Sequence, residues 1–341
     1  MRGYGGLAQR KGRVDIENIS ELLDYLRMRG RIEPGEVPPC RVLAGGVSNR
    51  TVLVARPNGE RWVLKQALQK LRVADDWFSP PERILREAAG MAALRRIAPP
   101  GSITRLLFTD PENYLLAMEA VPEPHENWKT VLLSGRVELG YYEQFANLLV
   151  AIHRRGTARE FQEEFEDRSF FETLRIEPYY RATAARVLPA RAFLEALVEE
   201  TRARRLTLVH GDYSPKNILI HDGRLVLLDH EVIHFGDPAF DIGFSMAVFL
   251  SGAHHLKGAR PALAGAAEYY WKVYSQSGGL AAEGASVRHT LGCLLARVAG
   301  RSPLEYLGPE ERRRQQMAVV ALIGDPPGSM PELTARFLAC L

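Results

Sequence analysis

The run His210-Gly211-Asp212-Tyr213-Ser214-Pro215-Lys216-Asn217, continued by Ile218-Leu219-Ile220-His221-Asp222-Gly223 and by Arg224-Leu225-Val226-Leu227-Leu228-Asp229-His230-Glu231, is the most informative part of this 341-residue chain. Ile218-Leu219-Ile220 reads as an apolar strand, His221-Asp222-Gly223 as a turn built on Asp-Gly, and Arg224 to Leu228 as the returning strand. Paired strands lie about 4.8 Å apart, so a strand that leaves and returns brings its two open ends together. Asn217 and Asp229 are therefore expected to face each other, with Asp212 one loop earlier at the same end. Oxygen ligands converging in this way suit a hard divalent cation that holds phosphates, so Asn217 and Asp229 are expected to bind Mg2+. Glu231, two residues on along an extended backbone, falls on the same side and is a candidate for a second metal, directly or through water. Turn chemistry is the alternative for all four residues, because Asp and Asn favour loops.

Phosphoryl transfer needs the phosphates clamped, their charge neutralised and the acceptor hydroxyl aimed. Asp212 is the candidate catalytic base that accepts or orients that hydroxyl's proton. His210 follows the apolar Leu206-Thr207-Leu208-Val209 and reads as a buried imidazole that orders the loop. Asp241, at a helix start, reads as a cap and brace of that loop, and His153 as a core residue.

Upstream the pattern alternates. Ile16 to Arg29 has helical spacing at Ile19, Leu22, Leu23 and Leu26 and stops at Gly30. Arg41–Leu43, Thr51–Ala55 and Arg61–Lys65 read as strands, the last two joined by a Pro57-Asn58-Gly59-Glu60 turn. Pro80 to Ile97 reads as a helix, and Ile103–Phe108 and Tyr114–Glu119 as two more strands. Gly45-Gly46-Val47-Ser48-Asn49 lies between two strands, where backbone N–H groups reach phosphate oxygens with no Cβ in the way. Gly45, Gly46, Ser48 and Asn49 are thus candidate nucleotide ligands, with a plain hairpin turn as the other reading. Lys65 ends a strand and Glu87 lies in the next helix, the arrangement by which a glutamate holds a phosphate-gripping lysine. Glu119 and Val121 sit where a strand crosses to the rest of the chain and offer a carbonyl and an amide to an adenine edge.

Composition sets bounds. The chain is 46% hydrophobic and 25% charged with a formal net charge of +3, too mild for a nucleic-acid binder. Arg202, Arg204 and Arg205, and Arg312 to Arg314, read as solvated helix faces. Cys40, Cys293 and Cys340 are odd in number and widely spaced, which fits a reduced, cytoplasmic setting without disulfides. Residues 1–14 read as a flexible basic tail without the apolar core of a secretory signal. The apolar run Ile242 to Ala253 is too short to span a bilayer, so no membrane partner is expected, and no obligate protein partner is evident.

Lys65, Glu87, His210-Gly211-Asp212, Asn217 and Asp229-His230-Glu231 together resemble the aminoglycoside phosphotransferase and choline kinase superfamily, from about Val42 to Gly243 and more faintly through Arg297 to Pro303. Asp229-X-Glu231 with Phe240-Asp241-Ile242-Gly243 is similar to its methylthioribose kinase and choline kinase branches, and the stretch Trp77 to Met91 to methylthioribose kinase. The resemblance implies an α+β, bilobal, protein-kinase-like fold: a small antiparallel β lobe with one helix over residues 15–121, and a larger, mainly helical lobe over 122–341. It also implies ATP and Mg2+ as cofactors, a small-molecule hydroxyl acceptor, and for Asp212, Asn217, Asp229, Lys65 and Glu87 the roles given above. The glycine loop lacks a full Gly-X-Gly-X-X-Gly, and Asp-Phe-Gly and Ala-Pro-Glu landmarks are missing, which disfavours a protein substrate. The absence of acidic bias after Asp241 disfavours a polycationic acceptor. Tyr269, Tyr270, Trp271 and Tyr274 read either as an aromatic cage or as helix packing. Arg297 and Arg301 read either as ligands of an anionic or sugar acceptor or as solvent-facing charge. A catalytically silent, nucleotide-binding relative is the alternative to an enzyme.

Overall fold

A computed structural model describes residues 13–43, 46–73 and 76–341. Gly45 and most of the expected basic tail lie outside the described residues.

The first helix, α1 (Ile19–Met28), begins where Asn18 accepts the Glu21 amide at 3.4 Å and buries Leu22, Tyr25 and Leu26. Five strands follow: β1 (Cys40–Val42), β2 (Asn49–Ala55), β3 (Arg61–Ala67), β4 (Leu106–Asp110) and β5 (Leu115–Glu119). They form one antiparallel sheet in the order β1-β2-β3-β5-β4. The second helix, α2 (Arg83–Ile97), is inserted between β3 and β4. It starts three residues later than its sequence pattern, because Pro80 and Pro81 form a turn whose carbonyls accept the amides of Arg83 and Ile84.

The period-2 pattern of the strands divides the sheet's two faces. Val52, Val54, Leu64, Leu115 and Ala117 pack with α1, whereas Ala67, Leu116 and Met118 pack with Ile84, Ala88 and Met91 of α2. Each fully buried aliphatic side chain contributes about 1.5–3 kcal/mol. The far end of α2 leaves the sheet: Ala93, Leu94 and Ile97 join the core of the second lobe.

That lobe opens with β6 (Glu126–Asn127), α3 (Trp128–Leu133) and α4 (Leu139–Arg155). Short helices α5 (Arg159–Glu164) and α6 (Ser169–Phe171) lead into a wide, π-type helix, Glu172–Arg181, then α7 (Ala182–Arg186) and α8 (Arg191–Ala203). Next come β7 (Thr207–Val209), β8 (Ile218–His221), β9 (Arg224–Leu227) and β10 (His234–Gly236). Helices α9 (Ala239–His255), α10 (Arg260–Gln276), α11 (Glu283–Ala299), α12 (Pro309–Gly324) and α13 (Met330–Ala339) complete it. Helix α9 is buried from Ala239 to His254, as an all-round apolar helix must be, and is the axis of the lobe. Tyr270 and Tyr274 are fully buried against it and α4, so the aromatic cluster of α10 is core packing rather than a cage.

The expected hairpin is present. β8 pairs with β9, Ile218 opposite Leu227, and the turn residues Asp222 and Gly223 take φ of 47° and 71°. Such left-handed backbone is what Asp-Gly turns supply. Among the described residues, no helix is long and apolar enough to cross a membrane.

Candidate active site

A cleft of about 740 Å³ runs between the sheet and the helical lobe. Gly46, Ser48, Asn49, Lys65, Glu119, Val121, Asp212, Asn217, Asp229 and Glu231 all line it. Glu87 sits behind Lys65, with no exposed surface.

Strand β3 delivers Lys65 to the cleft, and α2 delivers Glu87 from behind. Lys65 Nζ donates to Glu87 Oε1 at 2.6 Å and Oε2 at 2.8 Å, and to Asp229 Oδ1 at 2.8 Å. Gly90, one turn after Glu87, permits the approach: a Cβ there would lie 2.9 Å from both His230 Cβ and Ile233 Cγ2. Asp229 itself takes φ 67°, uncommon for a residue with a side chain and the kind of backbone found at functional sites.

Burial opposes charge on Lys65, but Asp229, Glu87 and Glu231 outweigh it and hold the ammonium above its ordinary value. Burial likewise pushes the Glu87 carboxyl up and Lys65 pulls against it, while Asp229 and Glu231 add to the rise. For Asp229, burial is outweighed by Lys65, Lys216 and Arg175, so its carboxyl lies well below the usual range. The segment thus presents a charged carboxylate to the cleft at neutral pH.

Asp212 lies on the loop between β7 and β8. Asn217 Nδ2 donates to Asp212 Oδ2 at 2.8 Å and to its carbonyl at 2.9 Å. Two cations flank the carboxylate: Arg175 Nη2 at 2.9 Å from Oδ1 and Lys216 Nζ at 2.8 Å from Oδ2. Burial would raise the Asp212 carboxyl, but Arg175 and Lys216 prevail and keep it below its ordinary value.

The loop is fixed from beneath. Asp241, in the first turn of α9, accepts the backbone amides of His210 and Gly211, each at 2.8 Å, and faces His153 Nε2 at 3.2 Å. His153 Nδ1 in turn meets Tyr274 Oη at 2.7 Å. His210 is buried, with Nδ1 accepting the Asp212 amide at 3.2 Å and Nε2 against His230 Nδ1. Gly211 takes φ 77° with Val232 3.0 Å from where a Cβ would be, so glycine is required between His210 and Asp212.

Glu87, Asp229 and Glu231 each offer a carboxylate oxygen, and these lie within 4.8 Å of one another. Both Glu87 oxygens are taken by Lys65, so the oxygens left facing the cleft are those of Asp229, Glu231 and the Asn217 amide, a hard donor set of the kind that suits Mg2+. One oxygen of Glu231 is already engaged: Oε2 accepts from Arg83 Nε at 3.1 Å and Asn49 Nδ2 at 3.2 Å. At the crossing strand, the Glu119 amide donates to the Arg105 carbonyl and that of Ala120 to the Arg61 carbonyl, each at 2.9 Å.

Arg83, Arg175 and Lys216 are functional neighbours that sequence reasoning did not assign. Arg83 is fully buried; its Nη2 donates to the Ser48 and Leu68 carbonyls and its Nη1 to those of Ser79 and Pro80. Arg175 comes from the π-type helix and also donates to the Gly211 carbonyl at 2.7 Å. Only Lys216 carried a signal, its place directly before Asn217.

The profile of the phosphotransferase enzyme family matches residues 39–283. A methylthioribose kinase from Pectobacterium atrosepticum is 25% identical over 260 residues, 67% of this chain and 64% of that one. Another, from Yersinia enterocolitica, is 26% identical over 285 residues, 72% of this chain and 69% of that one. The chain thus spans 64% of the length of the first of these curated relatives and 69% of the second. Two solved structures share the fold. A macrolide 2'-phosphotransferase from Brachybacterium faecium superposes with a TM-score of 0.54 at 18% identity, covering 90% of this chain and 99% of that one. A choline/ethanolamine kinase family protein from Mesorhizobium loti gives 0.53 at 15% identity, covering 94% and 98%.

Proposed function

The chain belongs to the phosphotransferase enzyme family, and on that premise we propose that it transfers the γ-phosphoryl group of ATP to a hydroxyl of a small molecule, such as a sugar, an amino alcohol or an antibiotic. The observation that carries this reading is the meeting of Lys65, Asp229 and Asp212 in one cleft between the two lobes, whose boundary we place at Val121 and Pro122.

Lys65 binds the phosphates, and Glu87 holds its ammonium in place. Backbone groups around Gly46 and Ser48 cover the phosphates, and the backbone of Glu119 and Val121 meets the adenine. Asn217 and Asp229, with Glu231 beside them, would hold Mg2+, which when bound offsets negative charge on the phosphate oxygens.

Asp212 orients the acceptor hydroxyl and takes its proton. A new bond forms between the acceptor oxygen and the γ-phosphorus as the bond from that phosphorus to the β–γ bridging oxygen breaks. ADP leaves with the electron pair. The lowered basicity of Asp212 suits a loose transition state, in which the proton moves late and positioning matters more than base strength. Arg175 and Lys216 keep the carboxylate ionised and in one orientation.

An ATP-consumption screen over hydroxylated small molecules tests the proposal, with methylthioribose, other sugars, choline, ethanolamine, homoserine, aminoglycosides and macrolides included and an Asp212→Ala control. Acceptor-dependent ADP release that disappears in the control is expected. Turnover that survives the substitution would refute the role of Asp212, and ATP binding without turnover on any acceptor would favour the catalytically silent alternative.

A further inference from the structure

Lys129, Leu133 and Lys216 line both the catalytic cleft and a narrow hollow that adjoins it, walled by α3, α9 and the segment after α11. The hollow offers about 20 Å³, room for one small polar group and not for a ring. Three residues that line it each carry a buried polar atom that makes no hydrogen bond: the hydroxyl of Ser214, the hydroxyl of Tyr306 and Nε of Arg297. Ser214 is 1% exposed and stands two residues from Asp212. Buried polar groups are rarely left unmet, because each has surrendered its water for nothing. Three around one hollow, next to the catalytic aspartate, mark a ligand's place.

The charge around the hollow says which ligand. Lys216 is paired with Asp212, and Lys129 with Glu305. Arg297 is the cation left over. Its Nη1 donates to Tyr179 Oη at 2.9 Å and to the Ser302 carbonyl and hydroxyl at 2.6 and 3.1 Å, all neutral partners. Among the described residues no carboxylate lies within ion-pair distance of it. A half-buried guanidinium with an idle N–H and no carboxylate partner, beside two idle hydroxyls, is complementary to an anion and repels a cation.

We propose that this hollow takes a carboxylate of the acceptor, so that the substrate is a small hydroxy acid whose alcohol reaches Asp212 while its carboxylate meets Arg297, Ser214 and Tyr306. This rests on the phosphotransfer reading above and specifies its acceptor. The product is the phosphate ester of the hydroxy acid, with the carboxylate unchanged and ADP released. The small volume of the hollow favours a carboxylate over the bulkier phosphate.

The test is steady-state ADP release with matched acceptors: hydroxy acids of three to six carbons, the primary amide of each, phosphorylated sugars, neutral sugars and choline. The acid is expected to exceed its amide in kcat/KM by ~100-fold, because a charge-assisted contact is lost on amidation. Arg297→Gln is expected to raise KM for the acid ~10–100-fold and to draw the acid-to-amide ratio toward one, while KM for ATP holds. Tyr306→Phe, a milder change, is expected to shift the same ratio in the same direction if Arg297→Gln folds poorly. Equal use of acid and amide, or preference for neutral, cationic or phosphorylated acceptors, would overturn the inference and leave phosphotransfer standing. Failure of the wild-type protein to consume ATP with any acceptor would take down both.

Discussion

Arg83 Nε lies 3.1 Å from Glu231 Oε2, with the guanidinium wholly buried, so the start of the α2 helix is tied by charge to the segment that follows the Arg224–Leu227 strand. The same guanidinium also grips the Ser48 and Leu68 carbonyls, which lie side by side at one end of the paired strands Asn49–Ala55 and Arg61–Ala67. One side chain therefore sets where the glycine-rich turn, α2 and the metal-facing acids sit relative to one another. Removing it strands a buried carboxylate.

Arg83→Met is expected to lower the free energy of unfolding by about 3–5 kcal/mol, the usual cost of leaving one partner of a buried ion pair alone. Urea denaturation measures it. Glu231→Leu added to Arg83→Met is expected to recover part of the loss, and additivity of the two single changes would show that they do not interact.

Lys65→Met is expected to reduce kcat/KM for ATP by ~10²–10³-fold, the range seen when one preorganised electrostatic contact is removed. Glu87→Gln is expected to cost less, because it loosens the lysine without removing it. Steady-state kinetics at saturating acceptor separates the two, and an equal loss would place Glu87 in direct contact with the phosphates.

Asp229→Asn is expected to weaken Mn2+ binding in the presence of a non-hydrolysable ATP analogue more than Glu231→Gln does. Glu231 already spends one oxygen on Arg83 and Asn49, and a residue acting from outside the metal's own ligands typically contributes ~10–100-fold in affinity. Mn2+ titration followed by electron paramagnetic resonance reads both.

His234 is one of the buried histidines that make stability depend on pH. Its ring is buried against Phe171, with centroids 3.9 Å apart, and burial lowers its pKa from 6.5 to about 4. The unfolded chain therefore binds a proton in this window that the folded chain refuses. Stability is full above pH 6.5 and falls as pH drops toward 4, by at most about 1.4 kcal/mol per unit from this group. His234→Phe is expected to flatten the fall in Tm between pH 6.5 and 4.5, and an unchanged slope would assign the acid sensitivity elsewhere.

What could be read from the sequence divides along physical lines. The hairpin from Ile218 to Leu227 was legible because its strands are short apolar runs and its turn needs left-handed backbone at Asp222 and Gly223, a local signal. Lys65 and Glu87 were legible because their elements follow one another in the chain. Arg83 and Arg175 were not: each meets its carboxylate far along the sequence, 148 residues away for Arg83 and Glu231, and no local pattern marks an arginine that will be buried. The π-type helix that positions Arg175 was equally hidden, since Pro178 within it reads as a helix breaker. The aromatic run in α10 had two readings until burial chose between them. Gly45 lies outside the described residues, and its expected contact with phosphate stands as a proposal.

The decisive measurement follows the label of [γ-32P]ATP in wild-type protein and in Asp212→Ala, each with saturating acceptor. Label is expected to appear in an acid-stable organic phosphate ester with the wild type, and its rate of appearance to fall by ~10²–10⁴-fold in the variant while ATP still binds. Label released only as inorganic phosphate, or transferred equally fast without Asp212, would contradict a phosphotransferase whose acceptor is aimed by that aspartate.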